Sequence, residues 1–462
     1  MFLDLDKKDK TKVAVVDDSA SVITYGDICD FATKFSEVLP DRTLIFILSK
    51  NCIGSLLGYV SSLCNRIVPL ILSSKIEKSL YENLRDKYQP RYMWVPIEMV
   101  DELGYNTIYT SWGYALIETG MITPVLNEEL SLLLSTSGST GSPKLVRHSY
   151  RNIEANAENV KRLFGLTSNE KAMAILPMHY TMGLSVITSH LWSGATLLLS
   201  DRSLLDKEFW SMLREATSFT GVPYSYEIML KMRFTKMDLP NLKIITQGGG
   251  KLTPEMFRIL AKYADDNGKK FIPTYGQSEC TARMTYLPSE LSMTKTCSIG
   301  IAEPGGQLSI IDSDGNETFE GEATGEMVYR GENVTLGYAY NAGDLIKGDE
   351  NNGVMYTGDL AYRDTDGCYF IVGRLKRFLK IFGLRISLDE IELMIKSEFK
   401  TDCVCSGTDE MLTVNITNAS IVDKIVSFIE EKTHLFHKNI EVIVVNAIER
   451  NEAGKVILHT KN

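Results

Sequence analysis

The chain lacks an apolar stretch long enough to cross a membrane. Among its 462 residues, the most apolar region, 44–73, is interrupted by Lys50, Asn51, Asn65 and Arg66. The first ten residues, MFLDLDKKDK, do not contain the apolar core of a signal peptide. These absences predict a protein with no membrane span and a cytoplasmic location.

An excess of positive charge is also absent. The 49 lysines and arginines are outnumbered by 59 aspartates and glutamates, which gives a net charge of −10. This balance argues against a general nucleic-acid binder, and we predict no nucleic-acid partner. The eight cysteines include no CxxC pair, so neither a zinc knuckle nor a disulfide framework is indicated.

The composition is that of a soluble globular protein, with 44% hydrophobic and 23% charged residues. Strand-like LIFILS, helix-like GSLLGYVSSLC and strand-like RIVPLILS follow one another, and this alternation predicts an α/β architecture. A later helix is predicted to be capped by Ser149, to run to about Gly165 and to bury Ile153, Ala157 and Val160.

Beyond about Gly300 the pattern changes to short strands and turns. Two segments carry Asp-Gly between alternating runs, which predicts hairpins rather than calcium loops. After the basic RLKR a helix, two strands, a helix and a strand form a compact α+β unit. We therefore predict a large N-terminal α/β domain with a β-rich distal part, residues 1–375, and a small C-terminal domain, residues 376–462.

The loop STSGSTGSPK follows the apolar LSLLL and offers hydroxyls, backbone N–H groups and one cation to an anionic ligand. It is not a Walker loop, because Ser142 and Pro143 separate Gly141 from Lys144 and no Ser or Thr follows the lysine. Alone, it could equally be a surface loop.

Four further motifs follow it: TYGQSEC, MYTGDL, GRLKRFLKIFG and NEAGKV. Each has an ordinary structural interpretation, such as a strand-terminal turn or a surface lysine. In this order and at these distances, however, the set resembles the adenylate-forming (AMP-binding) superfamily of acyl- and aryl-CoA synthetases, luciferases and nonribosomal peptide synthetase adenylation domains. The resemblance extends from ITYGDICDFATKFSEVL to GKV, which is almost the whole chain.

The resemblance implies three groups of ATP contacts. The phosphate loop would be Ser137, Gly138, Ser139, Thr140, Gly141, Ser142 and Lys144; the adenine slot would be Gly248, Gly249, Gly250, Thr274 and Tyr275; the ribose contacts would be Asp359 and Arg374. Ser278 would touch the α-phosphate and Glu279 would hold Mg²⁺. Lys455 would be the catalytic lysine of a mobile C-terminal domain, and Lys376 its hinge.

The resemblance also implies a substrate pocket, with His179, Tyr180, Tyr224, Gly276 and Thr281 as lining. His179 and Tyr180 stand in the reverse of the family's usual order, so a structural role for His179 is as well supported as a functional one. Tyr226 is either a further pocket residue or a core residue with a satisfied hydroxyl. No aspartate occurs from Pro177 to Ser185, which disfavours an α-amino acid as substrate.

We interpret the chain as an enzyme, an acid–thiol ligase that forms AMP. It would join a small carboxylic acid to coenzyme A at the expense of ATP and with Mg²⁺. The alternative acceptor is the phosphopantetheine of an acyl carrier protein. A non-catalytic nucleotide- or acyl-binding module and a kinase are the other hypotheses, and the complete motif set disfavours both.

Overall fold

The structure is a computed structural model and describes residues 1–39, 42–135, 144–375, 377–381, 384–408, 410–433, 435–450 and 456. Its strands are β1 Val13–Asp17, β2 Val22–Thr24, β3 Leu44–Ser49, β4 Val68–Ser73, β5 Tyr92–Pro96, β6 Asn106–Ser111, β7 Tyr114–Glu118, β8 Leu130–Ser135, β9 Leu145–Ser149, β10 Lys171–Ala174, β11 Thr196–Leu199, β12 Ser218–Gly221, β13 Ile244–Gln247, β14 Lys270–Tyr275, β15 Thr285–Tyr286, β16 Ile301–Ala302, β17 Gly306–Ile311, β18 Glu317–Thr318, β19 Ala323–Gly331, β20 Tyr338–Ala339, β21 Val354–Arg363, β22 Tyr369–Arg374, β23 Phe378–Ile381, β24 Leu384–Ser387, β25 Cys403–Thr408, β26 Met411–Ile416 and β27 Ile440–Val444. Its helices are α1 Tyr25–Val38, α2 Ile53–Cys64, α3 Lys78–Tyr88, α4 Val100–Leu103, α5 Tyr150–Phe164, α6 Thr181–Trp192, α7 Lys207–Glu215, α8 Pro223–Lys231, α9 Pro254–Asp266, α10 Leu388–Phe399 and α11 Val422–Thr433.

Two large sheets, whose central strands are parallel and whose edge strands are antiparallel, form the N-terminal part of the fold. One sheet has the order β16-β15-β14-β13-β12-β10-β11-β1-β2, and a second has the order β20-β9-β8-β4-β3-β5-β7-β6. Helices cover parallel strands on both faces, so such strands are apolar throughout rather than alternating. Every residue of β3 is buried, as its sequence predicts. The predicted α/β class is confirmed.

Helix α5 begins and ends as its sequence predicts. The Ser149 hydroxyl accepts from the Asn152 backbone N–H, and the Asn152 side chain accepts from the Ser149 N–H, which is a reciprocal cap. The helix ends at Gly165, whose φ of +65° suits glycine. Its buried face includes Ile153, Ala157 and Val160. The predicted inner face is therefore confirmed.

An antiparallel sheet follows, with the order β18-β17-β19-β21-β22. Strands β17 and β18 pair across the turn at Gly315, and β21 and β22 pair across the turn at Gly367. The Asp364 carboxylate accepts from the backbone N–H groups of Asp366 and Cys368, at 3.0 and 2.9 Å, which closes the second turn. The Asp-Gly segments are hairpin turns, as predicted.

The C-terminal region has a core of its own. Its apolar cluster runs from Leu379 to Ile440 and joins β23–β27 to helices α10 and α11. The Arg377 guanidinium makes ion pairs with Asp389 and Glu392 of α10. The predicted helices and strands of this region are confirmed, and the domain boundary at residue 376 stays a prediction.

None of the helices among the described residues is both long and apolar enough to cross a lipid bilayer.

A buried polar cluster joins α5 to the segments around residues 303 and 330. The Glu303 Oε1 atom accepts from the Asn159 and Asn333 amides at 3.2 and 2.9 Å and from the Tyr329 hydroxyl at 3.2 Å. Its Oε2 atom has no hydrogen-bond partner among the described residues. Burial, opposed by the hydrogen bonds and by the nearby Arg283, raises the pKa of Glu303 from 4.5 to about 8.

We expect Glu303 to make stability depend on pH. The folded protein retains this proton to a higher pH than the unfolded chain, so the free energy of unfolding decreases as pH rises from about 4.5 toward 8. In the wild type this effect should lower the free energy of unfolding by on the order of 1 kcal/mol per pH unit. Glu303→Gln, which resembles the protonated acid, should abolish it. Urea unfolding at pH 5.5 and 8.5 measures it, with the exposed Glu431→Gln as control. Equal pH slopes in wild type and Glu303→Gln would contradict the expectation.

Candidate functional site

The predicted site residues lie where parallel strands of the first sheet end. Gly248, Gly249 and Gly250 follow β13, and Gly276 to Glu279 follow β14. His179 lies in the loop between β10 and α6. The carboxyl ends of parallel strands meet at one edge of a sheet, and ligands of open α/β folds bind in the crevice at that edge.

The residues predicted to form the adenine slot come together at this edge. The Thr274 hydroxyl donates to the Gln247 carbonyl oxygen at 3.0 Å, which ties the end of β14 to the end of β13. The Gln247 amide donates to the Gly250 carbonyl oxygen at 2.6 Å and closes the glycine turn. At Gly276 a Cβ would lie 1.7 Å from the Ala282 carbonyl oxygen, so only glycine fits there.

Asp359 lies at the centre of a network of donors. Strands β21 and β22 place it directly opposite Arg374, whose Nε donates to Asp359 Oδ1 at 3.0 Å. The Tyr275 hydroxyl and the Gln277 amide both donate to Oδ2, the latter at 3.0 Å. The carboxylate is therefore held in one orientation by donors from two different sheets.

The exposure of this pair differs sharply between its members. The Asp359 side chain is only 3% exposed, whereas that of Arg374 is 60% exposed. Burial and the neighbouring Asp359 carboxylate raise the pKa of the Tyr275 phenol above its ordinary value, so the phenol remains a donor at neutral pH. A buried, oriented carboxylate at a crevice is suited to accepting hydrogen bonds from the hydroxyls of a ligand.

Lys144 and Glu279 meet at a tyrosine. The Lys144 ammonium lies 3.6 Å from the centre of the Tyr338 ring, and the Tyr338 hydroxyl donates to Glu279 Oε1 at 2.6 Å. The Glu279 backbone carbonyl accepts from both the N–H and the hydroxyl of Thr335, each at 3.0 Å. The segment before β20 thus fixes the position of Glu279.

The Glu279 carboxylate suits a magnesium ion that is bound together with a nucleotide. The described residues contain no cluster of three or more His, Cys, Asp or Glu side chains that could enclose a metal. Mg²⁺ is commonly held by one or two carboxylates together with substrate phosphates, and it retains several waters. Glu279 is half-buried and offers one such carboxylate, so it suits a site in which nucleotide phosphates and waters supply the other ligands.

Ser278 and Thr281 occupy the same turn but face different neighbours. The Thr181 hydroxyl, at the start of α6, donates to Ser278 Oγ at 2.8 Å. Thr281 is buried and donates to the Asn333 carbonyl oxygen at 2.8 Å, and its hydroxyl lies 3.4 Å from His148 Nδ1. Thr281 thus lies behind the turn, next to a small internal cavity that His148 also lines.

A cleft of about 340 Å³ opens beside the site. His179 and Tyr224 line it, and the Tyr180 ring packs against His179 with 4.4 Å between ring centres. Tyr224 is 47% exposed, whereas Tyr226 is buried and donates to the Thr246 carbonyl oxygen at 2.7 Å. Tyr226 is therefore a core residue, the alternative that the sequence left open.

The cleft also contains cations that sequence reasoning did not assign. They come from the loops after β3, β4 and β11: Lys50, Lys75 and Arg202. Lys50 pairs with Glu98, Arg202 lies 4.0 Å from Asp18, and Lys75 is exposed. The sequence did not predict roles for Gln277 and Tyr338 either. Each contacts a site residue that is distant in the sequence, Asp359 for Gln277 and Glu279 for Tyr338, and no local pattern reveals such a contact.

Some predicted residues lie outside the described part of the chain. These are Ser137, Gly138, Ser139, Thr140, Gly141 and Ser142 of the loop, the hinge residue Lys376 and the lysine Lys455.

Comparison with known proteins identifies related sequences. The profile of the family described as AMP-binding enzyme matches residues 68–339. Curated relatives include an oxalate–CoA ligase of Arabidopsis thaliana, 30% identical over 57% of this chain, and a probable CoA ligase of Humulus lupulus, 26% identical over 71%. A long-chain-fatty-acid–CoA ligase of Salmonella typhimurium is 26% identical over 67% of this chain. The matches span 52%, 65% and 54% of those relatives' lengths.

Solved structures share the whole fold. An o-succinylbenzoate–CoA synthetase of Bacillus subtilis, in complex with its acyl-adenylate intermediate, superposes with a TM-score of 0.81 at 18% identity. The superposition covers 99% of this chain and 96% of that one. The ATP-bound MatB of Rhodopseudomonas palustris gives a TM-score of 0.76 at 18% identity and covers 98% and 96% of the two chains. The folds are the same.

Proposed function

The chain belongs to the family of AMP-binding enzymes, and from this premise we propose that it is an AMP-forming ligase that joins a small carboxylic acid to coenzyme A. In the first half-reaction a carboxylate oxygen of the acid attacks the α-phosphorus of ATP. The bond from that phosphorus to the bridging oxygen breaks, and pyrophosphate leaves. In the second, the thiol of coenzyme A loses its proton, its sulfur attacks the acyl carbon, and AMP leaves.

The observation that carries this proposal is the network around Asp359. A buried carboxylate, oriented by Arg374, Tyr275 and Gln277, stands at the crevice beside the glycine turn 248–250. We propose that Asp359 accepts hydrogen bonds from the ribose hydroxyls and that Tyr275 and the glycine turn border the adenine. The α-phosphate would then lie toward Ser278.

The remaining residues are suited to neutralising charge. The attack brings two anions together, so the site needs cations and donors rather than a base. We propose that the loop 137–144 holds the β- and γ-phosphates through its N–H groups, its hydroxyls and Lys144. Mg²⁺ bound at Glu279 would neutralise phosphate charge. We further propose that the C-terminal domain, residues 376–462, rotates about Lys376 and brings Lys455 to the α-phosphate.

Two observations support coenzyme A as the acceptor. The cleft beside the site has Lys50, Lys75 and Arg202 around it, and such cations suit the phosphates of a nucleotide-bearing thiol. The curated relatives are CoA ligases by name. His179, Tyr180, Tyr224 and Gly276 are proposed to border the acid itself, whereas Thr281, which was predicted beside them, faces the small cavity behind the turn.

Pyrophosphate release over a panel of short, long, hydroxylated and aromatic acids, with and without coenzyme A, tests the proposal. We expect one class of acid to release pyrophosphate and AMP, with a rate that rises when coenzyme A is added. Release that ignores coenzyme A would overturn the acceptor and direct the search to a carrier protein. ADP formation, or no release with any acid, would overturn the ligase assignment.

A further inference from the structure

Tyr338 touches two groups of opposite charge that the proposed reaction uses. Its ring faces the Lys144 ammonium at 3.6 Å, and its hydroxyl donates to Glu279 Oε1 at 2.6 Å. A cation within about 6 Å of a ring centre is attracted by the π-electrons of the ring. One side chain therefore holds both the predicted phosphate-binding cation and the predicted metal ligand.

The main chain gives Tyr338 little freedom to move. Strand β20 pairs with β9, and this places Tyr338 opposite Val146, two residues after Lys144. The buried Arg147 donates through Nε to the Tyr338 carbonyl oxygen at 3.0 Å and through a terminal nitrogen to the Leu336 carbonyl oxygen at 2.9 Å. Tyr338 is thus anchored to the strand that begins at the end of the phosphate loop.

The hydroxyl leaves one oxygen of Glu279 for a metal. Glu279 Oε2 makes no hydrogen bond with a described residue, whereas Oε1 is engaged by Tyr338. Partners that orient a ligand in this way typically change metal affinity 10- to 100-fold when they are removed.

We propose that Tyr338 is a positioning residue for the nucleotide-bound metal: its hydroxyl orients Glu279 toward Mg²⁺, and its ring holds Lys144 beside the path of the phosphates. The inference rests on the proposed function, because it assumes that Glu279 and Lys144 meet MgATP. It adds a role to a residue that neither the motifs nor the proposed reaction uses, and it links the phosphate loop to the metal ligand through one side chain.

Binding of Mn²⁺ in the presence of α,β-methylene-ATP, followed by electron paramagnetic resonance, measures this role without turnover. For Tyr338→Phe, which keeps the ring and loses the hydroxyl, we expect Mn²⁺ binding about 10- to 100-fold weaker. Metal-free α,β-methylene-ATP should bind this variant as it binds wild type. Tyr338→Leu also removes the ring that contacts Lys144. This variant should in addition bind metal-free α,β-methylene-ATP several-fold more weakly, while its affinity for AMP should not change.

The neighbouring Tyr340 supplies a matched control. It is 55% exposed and lies with its ring centre 6.5 Å from that of Tyr338, so Tyr340→Phe should bind Mn²⁺ like wild type. Unchanged Mn²⁺ affinity in Tyr338→Phe would overturn the inference. The inference would also be overturned if Tyr338→Phe lost AMP affinity and thermal stability along with Mn²⁺ affinity, because such a general loss indicates a structural role. Failure of wild type to bind α,β-methylene-ATP with Mn²⁺ would instead overturn the proposed function.

Discussion

Asp359→Asn should lower kcat/KM for ATP by about 10²-fold, because a buried carboxylate that accepts hydrogen bonds from substrate is replaced by a neutral amide. The substitution keeps the shape of the side chain and leaves Arg374, which is largely exposed, in contact with water. The folded structure should therefore persist while nucleotide binding suffers. The rate of acid-dependent pyrophosphate release at varied ATP concentration measures the effect.

A comparison of ATP with 2′-deoxyATP tests whether Asp359 contacts the 2′-hydroxyl of the ribose. Wild type should prefer ATP, and Asp359→Asn should lose most of that preference, because the lost interaction is the one that the 2′-hydroxyl makes. Asp366→Asn, in the exposed turn of the same hairpin, should change neither rate nor preference. A preference for ATP that persists in Asp359→Asn would place the ribose elsewhere.

The elements of the fold were predictable where local rules decide them. Strand β3 is a short apolar run between turn residues, and α5 has a serine cap at its start and a glycine at its end. The hairpins around Gly315 and Gly367 follow from Asp-Gly turns. In each case the residues that determine the element lie within the element or directly beside it.

The site was predictable only in part, and Tyr224 and Tyr226 give the reason. They stand two residues apart in the same apolar segment, and either could face a pocket. Helix α8 begins at Pro223 and carries the two side chains to different sides, so Tyr224 reaches the cleft and Tyr226 reaches the Thr246 carbonyl oxygen in the core. The direction of the helix relative to the sheet decides this, and no local pattern encodes it.

Tyr338 and Tyr340 extend the same argument to long-range contacts. Strand β20 contains only Tyr338 and Ala339, and Tyr340 lies just beyond it with 55% of its side chain exposed. That Tyr338 meets Glu279, 59 residues earlier, depends on the pairing of β20 with β9. Asp359 and Tyr275 likewise meet across 84 residues. The resemblance of the motifs placed both residues at one nucleotide site, but it did not predict their contact.

Lys455→Ala should slow adenylate formation by about 10²- to 10⁴-fold, the range for loss of a group that stabilises charge in the transition state. If the proposed rotation of the C-terminal domain removes Lys455 before coenzyme A attacks, the transfer step should be spared. A synthetic acyl-adenylate mixed with coenzyme A should then yield acyl-CoA at close to the wild-type rate. Rapid-quench measurements of the two half-reactions separate these steps.

The ordinary interpretation of Lys455 is a surface lysine on a turn, and Lys438 tests it. Lys438 is exposed in the same C-terminal region, and Lys438→Ala should leave both half-reactions unchanged. If Lys455→Ala behaves like Lys438→Ala, the lysine is not catalytic. If both half-reactions slow by the same factor in Lys455→Ala, the effect is not specific to adenylate formation, and a rotation that removes Lys455 before the transfer step is contradicted.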